Sequence, residues 1–284
     1  MNTQQDSRKI LEDLNFKKQQ LQKGLPIITT TSSSTTQPQT QYEPQFNQAA
    51  RATFQQAQST SSGFFILTDS NFATIKLKKL EEYLQCVDSF ENPKILLEQY
   101  ITPSHISSHF LYTIQNNYDD IRGKLVADLG SGTGMLSIGS AILEASHVIG
   151  FEIDSEALQI ARFNADEMEV QNIDFLQCDV LTDFIDSRFH KAFDTVILNP
   201  PFGTKKNAGI DIEFLKTAIL LSNTSIYSLH KTSTRNYIQK KSKEFNCKGE
   251  VIAELRYNLD SSYKFHKKAS KDIEVDVWRF SVIK

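Results

Sequence analysis

The chain has 284 residues, 39% of them hydrophobic, and a formal net charge of −3. This length accommodates one large domain with an extra segment or two small domains. The acidic balance excludes the bulk basic field that nonspecific nucleic-acid binding needs, so any nucleic-acid contact must come from a local patch. The three cysteines are far apart and form no C-x-x-C pair, which argues against a disulfide framework and a metal site.

The first part of the chain is polar. Its opening residues lack the apolar core of a signal peptide, and no run reaches the roughly 18 apolar residues of a membrane helix. We therefore expect an intracellular protein, located in the nucleus and cytoplasm. Between Pro26 and Gly63, Ser, Thr and Gln make up 22 of 38 residues, too polar a composition to offset the entropy of ordering. This predicts a mostly disordered tail over residues 1–73 and a folded domain over residues 74–284.

The folded part begins with a helical stripe of leucines and then alternates strands with helices. Thr102 followed by Pro103 predicts the N-cap and first position of a helix. From "KLVADLG" onward, apolar strands alternate with helices, which predicts an α/β, Rossmann-like fold with a mostly parallel, doubly wound sheet. We expect seven strands in the order 3-2-1-4-5, with the two late strands beyond and the last one antiparallel.

A glycine-rich turn follows the first strand of this sheet. In "VADLGSGTGMLSIG", Asp128 ends a strand and Gly130, Gly132 and Gly134 precede a helix. No G-K-[S/T] follows, which excludes a phosphate-binding P-loop, and the spacing G-x-G-x-G differs from the dinucleotide fingerprint G-x-G-x-x-G. The turn resembles the first motif of class I S-adenosylmethionine-dependent methyltransferases.

The next two strands each end near a carboxylate. Glu152 lies about 20 residues beyond the turn, where a carboxylate can accept hydrogen bonds from both ribose hydroxyls of an adenosine. Asp179 lies at the end of the following strand, where it can meet the adenine amino group, with the Val180 amide facing a ring nitrogen. A single carboxylate at a strand end usually contacts only solvent and binds no ligand. Two at successive strand ends beside a glycine turn favour a nucleoside site.

The fourth strand, "FDTVILN", ends in Asn-Pro-Pro-Phe, residues 199–202. The prolines fix the backbone, so the Asn199 side-chain oxygen and the Pro200 carbonyl are preorganised to accept the two hydrogens of a planar amino group. Phe202 can stack on a flat substrate. Asn-Pro is also a common turn pair, but its place in this sheet favours a catalytic loop. N-P-P-[F/Y] is the motif of methyltransferases acting on adenine N6, cytosine N4 or a glutamine amide.

From about Ile75 to its end the chain resembles the methyltransferase-like protein five family, the N6-adenosine methyltransferases of small-subunit (18S) ribosomal RNA. The likeness lies in the glycine turn, in "FDTVILNPPFGTKKNAGIDIEFLKTA", in "YSLHKTSTR" and in "IAELRYNLDSSYKFHKKASKDIEVD". The chain departs from the family at Thr133, where cysteine is frequent, and at Glu152, where aspartate is usual. The resemblance implies S-adenosyl-L-methionine as cofactor. It implies catalysis by Asn199, Pro200, Pro201 and Phe202, and cofactor contacts at Gln99, Thr102, Gly130, Thr133, Met135, Glu152, Asp179 and Val180.

Basic residues cluster after the catalytic loop and near the C-terminus. Such clusters suit phosphate contact, and a base must be splayed out of an RNA to reach the pocket, which favours an unpaired loop. The predicted RNA-binding residues are Lys205, Lys206, Lys264, His266, Lys267 and Lys268.

The third strand is expected to form a free edge of the sheet over residues 173–178. It carries Ile173, Phe175 and Leu176, and an exposed apolar edge is a liability for pairing with another chain. The resemblance implies a partner for this edge, a small zinc-binding activator subunit of methyltransferases, forming a heterodimer.

These observations predict an S-adenosylmethionine-dependent RNA adenine-N6 methyltransferase. One alternative is a protein glutamine-amide N-methyltransferase, which shares the N-P-P-[F/Y] chemistry, and the basic C-terminal cluster argues against it. The other is a noncatalytic scaffold that keeps only the fold. The intact glycine turn, Glu152 and Asn199 argue against that reading.

Overall fold

A computed structural model describes residues 75–184, 188–203, 207–260 and 270–282. At 257–260, 270–273 and 282 it describes the backbone alone. The predicted tail over residues 1–73 lies outside this description, as do all six predicted RNA-binding residues: Lys205, Lys206, Lys264, His266, Lys267 and Lys268.

Seven strands form one sheet in the order β3-β2-β1-β4-β5-β7-β6. Strands β1 to β5 pair in parallel, β7 is antiparallel to both β5 and β6, and six strands therefore share one direction. This confirms the predicted fold class, strand order and late antiparallel strand. The strands are β1 Leu125–Leu129, β2 His147–Glu152, β3 Ile173–Gln177, β4 Phe193–Leu198, β5 Ser222–Lys231, β6 Cys247–Asp260 and β7 Ser270–Val282.

Six α-helices flank the sheet in the described part of the chain. Crossovers that run in opposite directions from β1 place helices on both faces, since each such connection is right-handed. None of the described helices is long and apolar enough to cross a membrane. The helices are α1 Leu77–Leu84, α2 Ser104–Tyr118, α3 Met135–Ile142, α4 Ser155–Glu167, α5 Ile210–Leu221 and α6 Arg235–Glu244, and short 3-10 helices cover Ile95–Leu97 and Thr232–Thr234.

The central strands of the sheet are fully buried, and their carboxyl ends position the site. Every residue of β1 and β2 is buried, as expected for parallel strands covered on both faces. Phe151 of β2 packs edge-on against Phe184, Phe189 and Phe193 at ring-centroid distances of 5.0–5.9 Å. The strand order reverses between β1 and β4, and a crevice opens there at the carboxyl ends of the strands.

The β3 edge is less apolar than the sequence predicted. β3 does lie at the edge of the sheet, but Phe175 is only 9% exposed. Its ring fills the space beside Gly150, where an added Cβ would lie 2.6 Å from Phe175 Cδ1. Ile173 and Leu176 are partly buried, so the prediction of exposed apolar side chains is wrong for Phe175. The exposed side chains of β3 belong to Asp174 and Gln177.

The start of α2 also differs from the prediction. The helix begins at Ser104 after Pro103, and no side chain caps it. Thr102 is therefore not the N-cap, and its hydroxyl is engaged elsewhere, by a residue of the catalytic loop 97 positions further along the chain.

Candidate active site

A cavity of about 260 Å³ lies at the carboxyl ends of β1, β2 and β4. All eight predicted cofactor contacts line it, together with Asn199 and Pro201. Pro200 is buried, Phe202 is half-buried, and neither is among the residues that line the cavity. The sequence-predicted residues brought together here are Gln99, Thr102, Gly130, Thr133, Met135, Glu152, Asp179, Val180, Asn199 and Pro201.

The glycine turn after β1 adopts a backbone that L side chains rarely take. Gly130, Gly132 and Gly134 have φ values of 73°, 55° and 90°, in the left-handed region that glycine tolerates without steric cost. A Cβ at Gly132 would lie 2.9 Å from the ring of Phe90. The turn therefore requires glycine for its conformation and for close packing over the cavity.

Two buried carboxylates face the cavity. Glu152 accepts hydrogen bonds from the backbone N–H groups of Gly132 at 2.9 Å and Asp154 at 3.0 Å. Asp128 accepts a 2.5 Å hydrogen bond from the Ser137 hydroxyl. Burial raises the pKa of Asp128 to about 7 and raises the pKa of Glu152 above its usual value. Such a site favours a ligand that brings positive charge or hydroxyl donors.

The end of β3 turns back beneath the cavity. The Asp179 carboxylate accepts a hydrogen bond from the Leu181 N–H at 2.9 Å, and the Asp179 N–H donates to Asp183 at 2.8 Å. The Val180 carbonyl accepts from the Thr217 hydroxyl of α5 at 3.0 Å. The Asp179 and Val180 pair is thus a fixed turn in the cavity wall.

A segment before α2, residues 94–102, crosses the cavity, and we call it the strap. Gln99 Nε2 donates to Asp154 at 2.7 Å and Gln99 Oε1 accepts from the Lys94 N–H at 2.8 Å. Lys94 Nζ donates to the other Asp154 oxygen at 2.6 Å. The predicted cofactor residue Gln99 therefore lines the cavity while its amide anchors the strap. At the far side, Asn207 Nδ2 donates to the Leu96 carbonyl at 3.0 Å.

The strap also contacts the catalytic loop. Asn199 Nδ2 donates to Thr102 Oγ1 at 2.8 Å, and Asn199 Oδ1 is buried with no hydrogen-bond partner among the described residues. The Tyr100 ring lies 5.8 Å from the Phe202 ring. Lys231 Nζ lies 5.6 Å from the centroid of the Phe202 ring and donates to the Phe202 carbonyl at 3.3 Å. The loop is held from two sides.

Residues 105–225 match the family model described as the methyltransferase small domain. The Drosophila melanogaster protein named rRNA N(6)-adenosine-methyltransferase Mettl5 is 59% identical over 210 residues, which cover 74% of this chain and 98% of that protein. The chain belongs to the METTL5 family. The Danio rerio METTL5 protein is 60% identical, over 73% of this chain and 99% of its own length.

A solved structure agrees with the METTL5 assignment. The crystal structure of a candidate RNA methyltransferase from Pyrococcus horikoshii matches with a TM-score of 0.63 at 35% identity, over 73% of this chain and 96% of that one. The resemblance inferred from the sequence is confirmed, as is the methyltransferase fold.

Within this METTL5 fold, sequence analysis missed the residues that hold the site together. Asn164 of α4 accepts from the Asp88 N–H at 3.0 Å and donates to the Thr133 carbonyl at 2.9 Å, so it fixes the glycine turn. Asp154 caps α4 and also anchors the strap through Lys94 and Gln99. Each contact joins residues 31 to 76 positions apart, and no local pattern signals such a pairing.

Proposed function

We propose that this protein transfers a methyl group from S-adenosyl-L-methionine to N6 of an adenosine in RNA, and that the RNA is small-subunit (18S) ribosomal RNA. Its METTL5 relatives carry the name rRNA N6-adenosine methyltransferase. The observation that carries the proposal is Asn199 Oδ1, a buried acceptor without a partner in the described structure, beside a cavity whose lining includes two buried carboxylates. Buried polar atoms are normally satisfied, so an orphaned one at a cavity marks a ligand contact.

The residues present fit this cofactor. S-adenosylmethionine carries a sulfonium, an ammonium and a ribose diol, which suit the buried carboxylates of Asp128 and Glu152. Ser131 also lines the cavity, and its Oγ is buried without a partner within the described residues. When bound, the cofactor supplies an electrophilic methyl group. Glu152 would accept from the ribose hydroxyls, and Asp179 with the Val180 amide would meet the adenine edge. Gln99, Thr102, Gly130, Thr133 and Met135 would complete the binding wall.

The catalytic loop makes the adenine amino group more nucleophilic. The exocyclic nitrogen of adenine is a poor nucleophile because its lone pair is delocalised into the ring. Asn199 Oδ1 and the Pro200 carbonyl accept its two hydrogens, raise its electron density and fix its direction. Pro200 and Pro201 keep the loop rigid, and Phe202 stacks on the base. Alignment of this kind can supply roughly 7–11 kcal/mol of the barrier.

Developing positive charge on the acceptor nitrogen is met by the same two oxygens. Prepositioned dipoles of this kind stabilise charge without reorganising during the reaction. The loop Asn199–Phe202 contains no strong general base, and none is needed, because the product amine loses a proton readily once alkylated.

The proposal extends to partners and location. The basic residues predicted to contact RNA phosphates are Lys205, Lys206, Lys264, His266, Lys267 and Lys268. A small zinc-binding activator subunit covers the β3 edge around residues 173–178, where β3 has a neighbouring strand on one side only among the described residues. The heterodimer acts in the nucleus and cytoplasm.

The decisive experiment offers both acceptor classes to the same enzyme. The chain is purified with its activator and incubated with labelled cofactor and either total RNA or total protein. We expect label in small-subunit ribosomal RNA, recovered as N6-methyladenosine after digestion. Label in protein as methylglutamine would establish the glutamine methyltransferase instead, and label in neither fraction would contradict the proposed reaction.

A further inference from the structure

A second cavity lies beside the active-site cavity, between the first turns of α5 and the helix α6, and we call it the groove. Its volume is about 460 Å³, within the range of about 300–1,000 Å³ that is typical of ligand pockets. Its lining includes Asn207, Ile210, Glu213, Lys216, Tyr237 and Lys241. We propose that the groove binds an RNA nucleotide that flanks the target adenosine, an inference that rests on the proposed function.

The groove adjoins the site of the reaction. Asn207 and Ile210 line both the groove and the active-site cavity, and both residues follow the catalytic loop in the chain. A target base must leave its stack to enter the active-site cavity. Its neighbour on the same strand then passes the wall that the two cavities share.

Tyr237 places a flat ring in the wall of the groove. It is 48% exposed and is the aromatic member among the exposed large hydrophobic side chains of the described residues. Ile238, the next residue of α6, is fully buried, so α6 packs on the core through Ile238 and the Tyr237 ring stays in contact with solvent. A base of any identity can stack on such a ring, because every base has a π-face.

Two lysines accompany this ring. Lys241 lies one helical turn beyond Tyr237, with its Nζ 5.7 Å from the ring centroid, and Lys216 lines the groove from α5. Each lysine donates to a glutamate three positions away in its own helix at 2.6 Å. Solvent-accessible ion pairs of this kind contribute little to stability, so phosphate groups can take over both ammonium groups.

This combination of side chains matches the parts of a nucleotide. The base and the phosphate correspond to the aromatic ring and the two ammonium groups. Glu213, which also lines the groove, can accept a hydrogen bond from an exocyclic amino group or a ribose hydroxyl. A peptide acceptor brings no phosphate, and the lysines of the groove therefore favour RNA.

The ring is tested by comparing Tyr237→Leu, which keeps apolar bulk but removes the flat face, with Tyr237→Phe, which keeps the face. Both are made in the full chain with its activator. The measurements are KM for small-subunit ribosomal RNA and, by fluorescence anisotropy, Kd for a labelled single-stranded oligoadenylate of about 10 nucleotides. We expect Tyr237→Leu to raise both constants about 5- to 50-fold and Tyr237→Phe to change them less than about twofold. The cofactor Kd should not change, because Tyr237 does not line the active-site cavity.

The lysines are tested by the salt dependence of binding to the same oligonucleotide. Each phosphate contact with a single strand contributes about 0.7 to the slope of log Kd against log salt concentration, so Lys216→Gln and Lys241→Gln should each reduce the slope by about that amount. Lys79→Gln is the matched control and should leave the slope unchanged. Lys79 of α1 also pairs with a glutamate three positions away, at 3.3 Å, and its Nζ lies 4.7 Å from the centroid of the Tyr83 ring, yet it lines neither cavity.

If the wild type methylates ribosomal RNA, unchanged RNA affinity in Tyr237→Leu, or unchanged salt slopes in both groove lysine variants, would overturn the subsite while the proposed function stands. An equal loss of slope in Lys79→Gln would show a general charge effect and would also contradict it. A wild-type heterodimer that methylates no RNA would instead refute the proposed function, and the inference with it. If Tyr237→Leu does not fold, Tyr237→Ser takes its place in every comparison.

Discussion

A 2.9 Å hydrogen bond joins the Gly132 N–H to the Glu152 carboxylate. It ties the end of β2 to the glycine turn that follows the neighbouring strand β1. The other carboxylate oxygen is held by the Asp154 N–H at 3.0 Å. The Glu152 side chain is therefore oriented before any ligand arrives, with lone pairs left over for the cavity.

This arrangement predicts the effect of Glu152→Gln. The amide has the shape of the carboxylate but turns one acceptor into a donor, which opposes one of the two backbone N–H groups. A hydrogen bond to a charged group contributes about 1.5–3 kcal/mol, so we expect cofactor affinity to fall roughly 10- to 100-fold. Titration calorimetry with the cofactor measures this. Unchanged affinity would show that Glu152 only supports the glycine turn.

The second prediction concerns Asn199→Ala, which removes the orphaned acceptor. Loss of a preorganised polar contact should lower the methyl-transfer rate by about 100-fold or more. Oδ1 has no bond to lose in the described structure, but the variant does lose the hydrogen bond from Nδ2 to Thr102 Oγ1, so the free energy of unfolding should fall by about 0.5–1.5 kcal/mol. Single-turnover kinetics and urea denaturation of one preparation test both parts. A near-normal rate would remove Asn199 from the mechanism.

The third prediction is a pH dependence of stability set by Asp128. Burial raises its pKa from 3.8 to about 7, so between these values the folded protein holds a proton that the unfolded chain has lost. The free energy of unfolding should therefore fall as pH rises from about 4 to about 7, by up to roughly 4 kcal/mol.

Asp128→Asn provides the comparison, because an amide cannot titrate. Urea denaturation at pH 5 and pH 8 should show a smaller loss of stability with rising pH in the variant than in the wild type. Identical pH slopes would mean that Asp128 is ionised at both pH values and that its burial is offset by other contacts.

Sequence periodicity predicted the sheet well because local patterns determine strands and helices, and chain order with right-handed crossovers restricts the topology. It failed where a tertiary contact outweighs a local rule. Thr102 satisfies the local rule for an N-cap, yet Asn199 takes its hydroxyl. Phe175 lies on an edge strand, yet one face of that strand is still covered, and the space beside Gly150 accepts its ring. Such distant contacts leave no signal in the neighbouring residues.

The last prediction concerns the edge strand β3. Its backbone N–H groups point alternately toward β2 and away from it. The Val148 N–H donates to the Asn172 carbonyl, and the Cys178 N–H donates to the Glu152 carbonyl. Even-numbered residues of β3 therefore bond to β2, and the N–H groups of odd-numbered residues face outward. An activator that adds a strand here must use those outward groups.

Ile173→Pro removes one outward N–H at the first position of the strand, where proline is tolerated. We expect it to reduce co-purification of the activator while the isolated chain keeps its melting temperature and cofactor affinity. Leu176→Pro is the matched control, since its N–H faces β2 and its loss breaks the ladder within the sheet. That variant should unfold at lower temperature whether or not the activator is present. If Ile173→Pro retains the activator fully, the partner binds a different surface, and the free edge of β3 is protected by other means.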